Sequence, residues 1–316
     1  MTSPDPRNRH VRHYVAGRLV TQYEAAIPLF DSGLLHGKLV WSAPRLVQGR
    51  LFRFQDHLNK IRHSAELNHF PLYPSDEEIV RAIRETLAAN DMFDGVHIRI
   101  SVTAGDQITA SMDVDAVINW DGTPSEPKII VMPEYRDAVY AQDGISLITS
   151  SFLRPGPHMV DQRSHDNNQN ASSRALYEAK QAGATSALMY DDQGYVAEAA
   201  ASHMAIIKRG KLYTPFVRCS PSGVTRKVIL ELCERHGIPA EESDITSSEV
   251  TSADEVLLLG TMSGPVSVVT LDGRPVGNGK LGNVTRQLYA LYAQALQDPA
   301  QGYQIAYRGS AYTPTP

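Results

Sequence analysis

Five polar side chains in a row, His165, Asp166, Asn167, Asn168 and Gln169, stand directly before a helical pattern. Histidine changes charge near neutral pH and can move a proton. Taken blandly, the run is a solvated loop with a helix N-cap. Taken as chemistry, it is the polar floor of a pocket. A second candidate is Glu198, set between Tyr195-Val196-Ala197 and Ala199-Ala200-Ala201. A carboxylate in so apolar a setting needs a partner if it is buried; otherwise it is an exposed strand end. Two small-residue loops follow. Gly223-Val224-Thr225 opens a helix, where unpaired N–H groups and the helix dipole suit a phosphate, although most such turns are plain caps. Gly260-Thr261-Met262-Ser263-Gly264 ends a strand and offers hydroxyls and N–H groups. Lys60 and Arg62, by themselves, read as the solvated face of a helix.

These groups need elements to hold them. Residues 13–22 give a hairpin signal around Gly17, residues 26–30 an apolar strand, and residues 39–47 and 50–54 a strand pair around Gln48-Gly49. Asp56 is expected to cap a helix through Asn68. Ser75 and Glu78 form a capping-box match that opens a second helix on Ile79, Ala82, Ile83 and Leu87. Strands are expected over 96–103 and 128–132, and a linker from residue 133 to 140. Beyond it come a strand over 145–150, a loop at Arg154-Pro155-Gly156-Pro157, and a helix on Ala171, Ala175 and Ala179 that stops at Gly183. Residues 186–190, 195–198, 204–208 and 212–214 read as a β-meander. Helices over 223–236 and 283–297 flank a strand at 255–259. The class is α+β, because strands and helices come in runs without regular βαβ alternation. The expected division is a small α/β domain over 1–134, a linker over 135–140 and a large domain over 141–316 that carries cofactor-binding residues.

Composition narrows the partners. With 316 residues, 42% of them hydrophobic and 21% charged, the chain fits two globular domains. A net charge of −5, with scattered basic residues, argues against nucleic acid. No apolar run reaches membrane-helix length, and residues 1–13 show no signal-peptide core. The two cysteines, Cys219 and Cys233, suit a reducing cytoplasm.

In order along the chain, these pieces resemble the class IV aminotransferases, the pyridoxal phosphate (PLP) family that includes branched-chain and D-amino-acid aminotransferases. The resemblance runs from about Tyr14 to Leu291. It is carried by Phe30-Asp31-Ser32-Gly33-Leu34-Leu35-His36-Gly37, Gly49-Arg50-Leu51-Phe52-Arg53 with His57-Leu58, Glu178-Ala179-Lys180, Gly194-Tyr195-Val196-Ala197-Glu198, Gly210-Lys211-Leu212-Tyr213-Thr214-Pro215, Gly223-Val224-Thr225-Arg226 and Gly260-Thr261. It implies the two-domain fold of that family and a homodimer. It assigns Glu198 to the pyridine nitrogen, Val224, Thr225 and Thr261 to the phosphate, and Lys60, with Arg62 as fallback, to the basic phosphate ligand. Asn168 is retained at a cofactor position, and Gln169 stands where a tyrosine is usual. His36, Trp41, Met262 and Ser263 fall on the substrate side.

The central departure is the Schiff-base lysine. The family's spacing from Glu178 brings Ser164 or His165 to its position, and no lysine lies between Lys128 and Lys180. Other positions differ too: Ala199-Ala200-Ala201 replaces Gly-Ser-Gly, His203 replaces an asparagine, and Lys38 and Ser42 stand where acidic residues are common. The expectation is therefore non-covalent PLP or pyridoxamine phosphate, a small amino or keto acid as substrate, and His165 as the base, with Ser164 and Gln169 beside it. One alternative is a metal-dependent site built from His36, His165, Asp166 and His203, with His158 and Asp161. Another is a non-catalytic ligand-binding protein.

Overall fold

The computed structural model describes residues 5–113, 115–137 and 143–307. The chain divides into two compact units. The first takes the described residues up to Asp137, together with 164–168 and 298–307. The second takes residues 143–163 and 169–297.

The first unit is built on the strand Val96–Thr103, whose Val96, Ile98, Ile100 and Val102 are fully buried. Alternation along a strand sends such residues to one face. Lys128–Tyr135 pairs antiparallel along its whole length, and both Leu39–Ser42 and Arg45–Val47 pair with its other edge. The hairpin Arg12–Val15/Arg18–Thr21 extends the sheet on one side, and Arg50–Phe52 with Gly302–Gln304 on the other, giving eight strands. The helices Phe54–Leu67 and Asp76–Ala89 bury Leu58, Ile61, Ile79 and Ile83 in the same core. Each such side chain contributes about 1.5–3 kcal/mol by leaving water. The capping box at Ser75 and Glu78 forms in both directions.

Several expectations are corrected here. The first helix starts at Phe54, and its N-cap is Arg53 in the left-handed region (φ 52°). Asp56 lies inside the first turn and pairs with Arg53 at 2.6 Å instead of capping. Residues 26–30 form no strand, and Leu29 is 73% exposed. Pro28 removes a ladder donor there, and among the described residues no strand pairs with the segment. Strand Lys128–Tyr135 runs on into residues read as linker, whose positions 138–140 lie outside the described residues.

The second unit holds a nine-stranded sheet. Its core strands are Ile145–Thr149, Gly264–Leu271, Glu255–Gly260 and His203–Lys208, with Leu147, Val266, Val268, Leu258, Met204 and Ile206 buried between them. Ser186–Tyr190 with Val196–Ala199, and His203–Lys208 with Lys211–Pro215, form two hairpins. They are not one continuous meander: Ile145–Thr149, Gly264–Leu271 and Glu255–Gly260 lie between them in the strand order. Turn residues announce local hairpins, but the pairing of His203 with Leu259 joins residues far apart in sequence. Helix Asn170–Gln181 packs Ala175 and Ala179 on Ala187, Met189 and Ala200. Helices Val224–Arg235 and Asn283–Gln297 complete the unit. Among the described residues no helix is long and apolar enough to cross a membrane.

Candidate active site

Residues 164–168 join the first unit as a short strand-like addition. Trp41 N donates to the His165 carbonyl at 2.9 Å, and Asn167 N donates to the Leu39 carbonyl at 3.1 Å, so the segment runs antiparallel along Leu39–Ser42. The Trp41 indole Nε1 donates to the Asp166 carbonyl at 3.0 Å. Ser64 Oγ accepts from His165 N, and Asn68 donates to Ser164 Oγ at 2.6 Å. Ser164 is therefore buried and bonded to the end of a helix.

His165 is fixed more specifically. Its Nδ1 lies 2.6 Å from the Trp41 carbonyl oxygen, which can only accept. The neutral ring thus carries its proton on Nδ1 and its basic lone pair on Nε2. The ring packs against the Trp41 indole, centroids 3.8 Å apart. The Arg99 guanidinium also rests on that indole, at 3.8 Å, and donates to Asn167 Oδ1 at 2.9 Å. Burial lowers its pKa to about 10.

The other first-unit candidates separate clearly. His36 Nδ1 meets Gln107 Oε1 at 2.8 Å. Asn168 lies against Gly37, where a Cβ would stand 3.0 Å from its Oδ1. Lys60 is partly buried, burial lowers its ammonium pKa to about 8, and among the described residues no carboxylate pairs with it. One turn earlier, His57 is buried with Nδ1 on Ser42 Oγ at 2.7 Å. Burial, followed by the charge of Lys60, pulls its pKa to about 3. Arg62 is committed to an ion pair with Asp76 and is 40% exposed.

In the second unit Glu198 is 4% exposed on strand Val196–Ala199. It forms an ion pair with Arg154, itself 4% exposed. Arg154 also donates to Ser172 Oγ at 2.8 Å and to Gln162 at 3.1 Å, and burial lowers its pKa to about 10. Arg154 escaped the reading of the sequence, because one arginine in a Pro–Gly loop has no spacing that marks it. His203 Nδ1 stands 3.9 Å from the other Glu198 oxygen. Two alanines of the Ala199-Ala200-Ala201 run have a packing cause: Ala199 and Ala200 are buried, and Ala200 meets helix Asn170–Gln181 in a cluster of small side chains, while Ala201 is exposed.

Helix Val224–Arg235 begins at Gly223, which supplies no side-chain cap. Val224 and Thr225 are buried in its first turn. Thr261 and Ser263 are partly buried beside buried Met262 at the end of Glu255–Gly260, and Ser263 Oγ donates to the Gly264 carbonyl at 3.3 Å. Gln169 is the N-cap of helix Asn170–Gln181 without a side-chain cap bond. Among the described residues no three His, Cys, Asp or Glu side chains gather as a metal ligand set.

Glu198 is thus a buried, ion-paired carboxylate, and helix Val224–Arg235 starts without a side-chain cap. The sequence model of that family, described as amino-transferase class IV, matches residues 43–271, and the chain belongs to this family. A putative branched-chain-amino-acid aminotransferase of Methanocaldococcus jannaschii is 30% identical, over 87% of this chain and 93% of its own length. The branched-chain-amino-acid aminotransferase-like protein 2 of Arabidopsis thaliana is 35% identical over 92% of this chain. The chain spans about half the length of the two plant relatives it matches, 51% and 54%. Among solved structures, a T.th. branched-chain amino acid aminotransferase with pyridoxamine 5'-phosphate is similar at TM-score 0.79 and 27% identity, covering 92% of this chain and 96% of that one. The same enzyme complexed with N-(5'-phosphopyridoxyl)-L-glutamate gives 0.80 and 26%, covering 92% and 96%.

Proposed function

We propose that this protein binds pyridoxal 5'-phosphate or pyridoxamine 5'-phosphate without a covalent lysine link and acts on a small amino or keto acid. The observation that carries the reading is the ion pair of Glu198 with Arg154, a carboxylate held in an apolar sheet with a guanidinium on one oxygen. The residues suit such a group in two further respects. The first turn after Gly223 has no side-chain cap, and Lys60 has no carboxylate partner among the described residues. A partly buried cation without a counter-charge is unfavourable, and a phosphate would supply one.

When bound, the protonated pyridine ring supplies an electron sink. In this assignment Glu198 accepts from the ring nitrogen, and Val224, Thr225 and Thr261 hold the phosphate. Lys60 adds a point charge in place of the arginine fork. Arg62, tied to Asp76, is set aside. His165 receives a proton at Nε2, and the Trp41 carbonyl steadies the resulting cation through Nδ1–H. Asn168 and Gln169 flank this base, and Ser164, engaged by Asn68, helps hold the segment. His36, Trp41, Met262 and Ser263 are assigned to the substrate. The reading includes a cytoplasmic homodimer.

Adding PLP should produce a cofactor absorption band, while borohydride followed by intact-mass measurement should find no reduced adduct. A stable adduct would return ordinary lysine chemistry, and the lack of any band would remove the cofactor from the reading. Lys60 adds a pH signature. A bound phosphate favours the ammonium, so affinity is greatest below the free pKa of about 8. Above it, binding must take up a proton, and affinity should fall by up to about tenfold per pH unit. Lys60→Arg should flatten this decline when PLP affinity is measured from neutral to alkaline pH. Matching profiles for the two proteins would count against Lys60 as the ligand.

A further inference from the structure

His203 stands between two groups that the proposed reading treats separately. On one side its Nδ1 is 3.9 Å from Glu198 Oε2, and its side chain is only 12% exposed. On the other side its ring lies on the backbone of Gly223. A Cβ at Gly223 would sit 2.2 Å from His203 Cδ2 and 2.5 Å from Nε2, so only glycine permits this approach. His203 is the first residue of strand His203–Lys208, is registered against Leu259, and lies opposite the buried end of Glu255–Gly260. Glu198 in turn is held from its other oxygen by Arg154, which is anchored to Gln162 and Ser172. Arg154, Glu198, His203 and Gly223 thus form an unbroken line of contact that ends at the first turn of helix Val224–Arg235.

We propose that His203 is a positioning residue that couples the acid Glu198 to the loop at Gly223, so that the two anchors act as one unit on a ligand spanning them. This rests on the reading above, in which Glu198 takes a pyridine nitrogen and Val224 and Thr225 a phosphate. The physical basis is close packing. Protein interiors transmit small displacements because they have few voids. A wedge touching both anchors therefore passes a shift of one to the other. A shorter side chain, such as the asparagine usual at this position in the family the chain resembles, would fill less of the space beside Gly223. Contacting groups deviate from additivity, whereas independent ones do not.

The test compares PLP with pyridoxal, which lacks the phosphate, by fluorescence-quenching affinity. The wild type, Glu198→Gln, His203→Ala, His203→Asn and the double variants with Glu198→Gln would be measured. In the wild-type background, losing the phosphate and losing the Glu198 charge together should cost about three- to tenfold less affinity than the product of the separate losses. With His203→Ala or His203→Asn that factor should shrink to within about twofold. Having two replacements keeps the result readable if one of them folds poorly, and thermal melts identify that case. A purely structural His203 would lower both affinities equally and leave the coupling intact, which overturns the proposal. Separate losses that simply multiply in the wild type also overturn it. If PLP binds no better than pyridoxal, or Glu198→Gln changes nothing, the assignment of the anchors itself fails and the coupling falls with it.

Discussion

Arg154→Met should destabilise the protein by about 3–5 kcal/mol, the usual cost of leaving one partner of a buried ion pair uncompensated. Arg154 and Glu198 are each 4% exposed, and Arg154 also satisfies Ser172 and Gln162. Removing the guanidinium leaves the Glu198 carboxylate with His203 at 3.9 Å as the remaining basic partner among the described residues. Removing both charges, as in Arg154→Met combined with Glu198→Leu, should recover much of the loss, because apolar pairs of similar volume often replace buried ion pairs at little cost. Urea unfolding followed by circular dichroism would measure both. A single variant within about 1 kcal/mol of the wild type would mean that the pair is not desolvated in solution. It would also remove the main support for Glu198 as the partner of a pyridine nitrogen.

The second large effect concerns proton transfer. His165→Ala should slow exchange of the α-proton of a small amino acid with solvent by about 10²- to 10⁴-fold in the presence of PLP, the range a positioned general base contributes. Cofactor affinity should change little, because no role in holding the cofactor is assigned to this ring. Proton NMR in heavy water follows the exchange directly. A rate equal to that of the wild type would show that another group moves the proton, and Lys60, with its pKa near 8, would be the next to replace.

Local signals in the sequence translated well into structure. The Ser75–Glu78 capping box, the helix Asn283–Gln297 and the hairpin around Gly17 all depend on residues a few positions apart. The α+β class and the resemblance to class IV aminotransferases were legible for the same reason, since the motifs are short and ordered along the chain. Longer-range matters were not. The helix start moved from Asp56 to Arg53 because an arginine in the left-handed region broke the usual capping preference. The strand order of the second unit follows from His203–Lys208 pairing with Glu255–Gly260, which no turn residue announces. At the site, Glu198 stood out as a carboxylate among alanines, but its partner did not. Whether an arginine in a Pro–Gly loop is solvated or buried against an acid depends on packing alone. Likewise His165 stood out in the sequence as a titratable side chain before a helix, whereas its tautomer depends on the Trp41 carbonyl 2.6 Å away.

The eight-stranded sheet of the first unit includes Gly302–Gln304, which pairs with Arg50–Phe52, and the same unit takes in residues 164–168. During synthesis the chain emerges from its N-terminus, and domains generally fold as they appear. Here the first unit cannot complete its sheet from residues up to 137 alone. Arg50–Phe52 waits, with that edge unpaired, for a strand made some 250 residues later. The nascent protein must therefore carry an unfinished edge until residues 302–304 have been made. A fragment ending at residue 137 lacks the partner strand of that edge, and no single cut in the chain separates the two units.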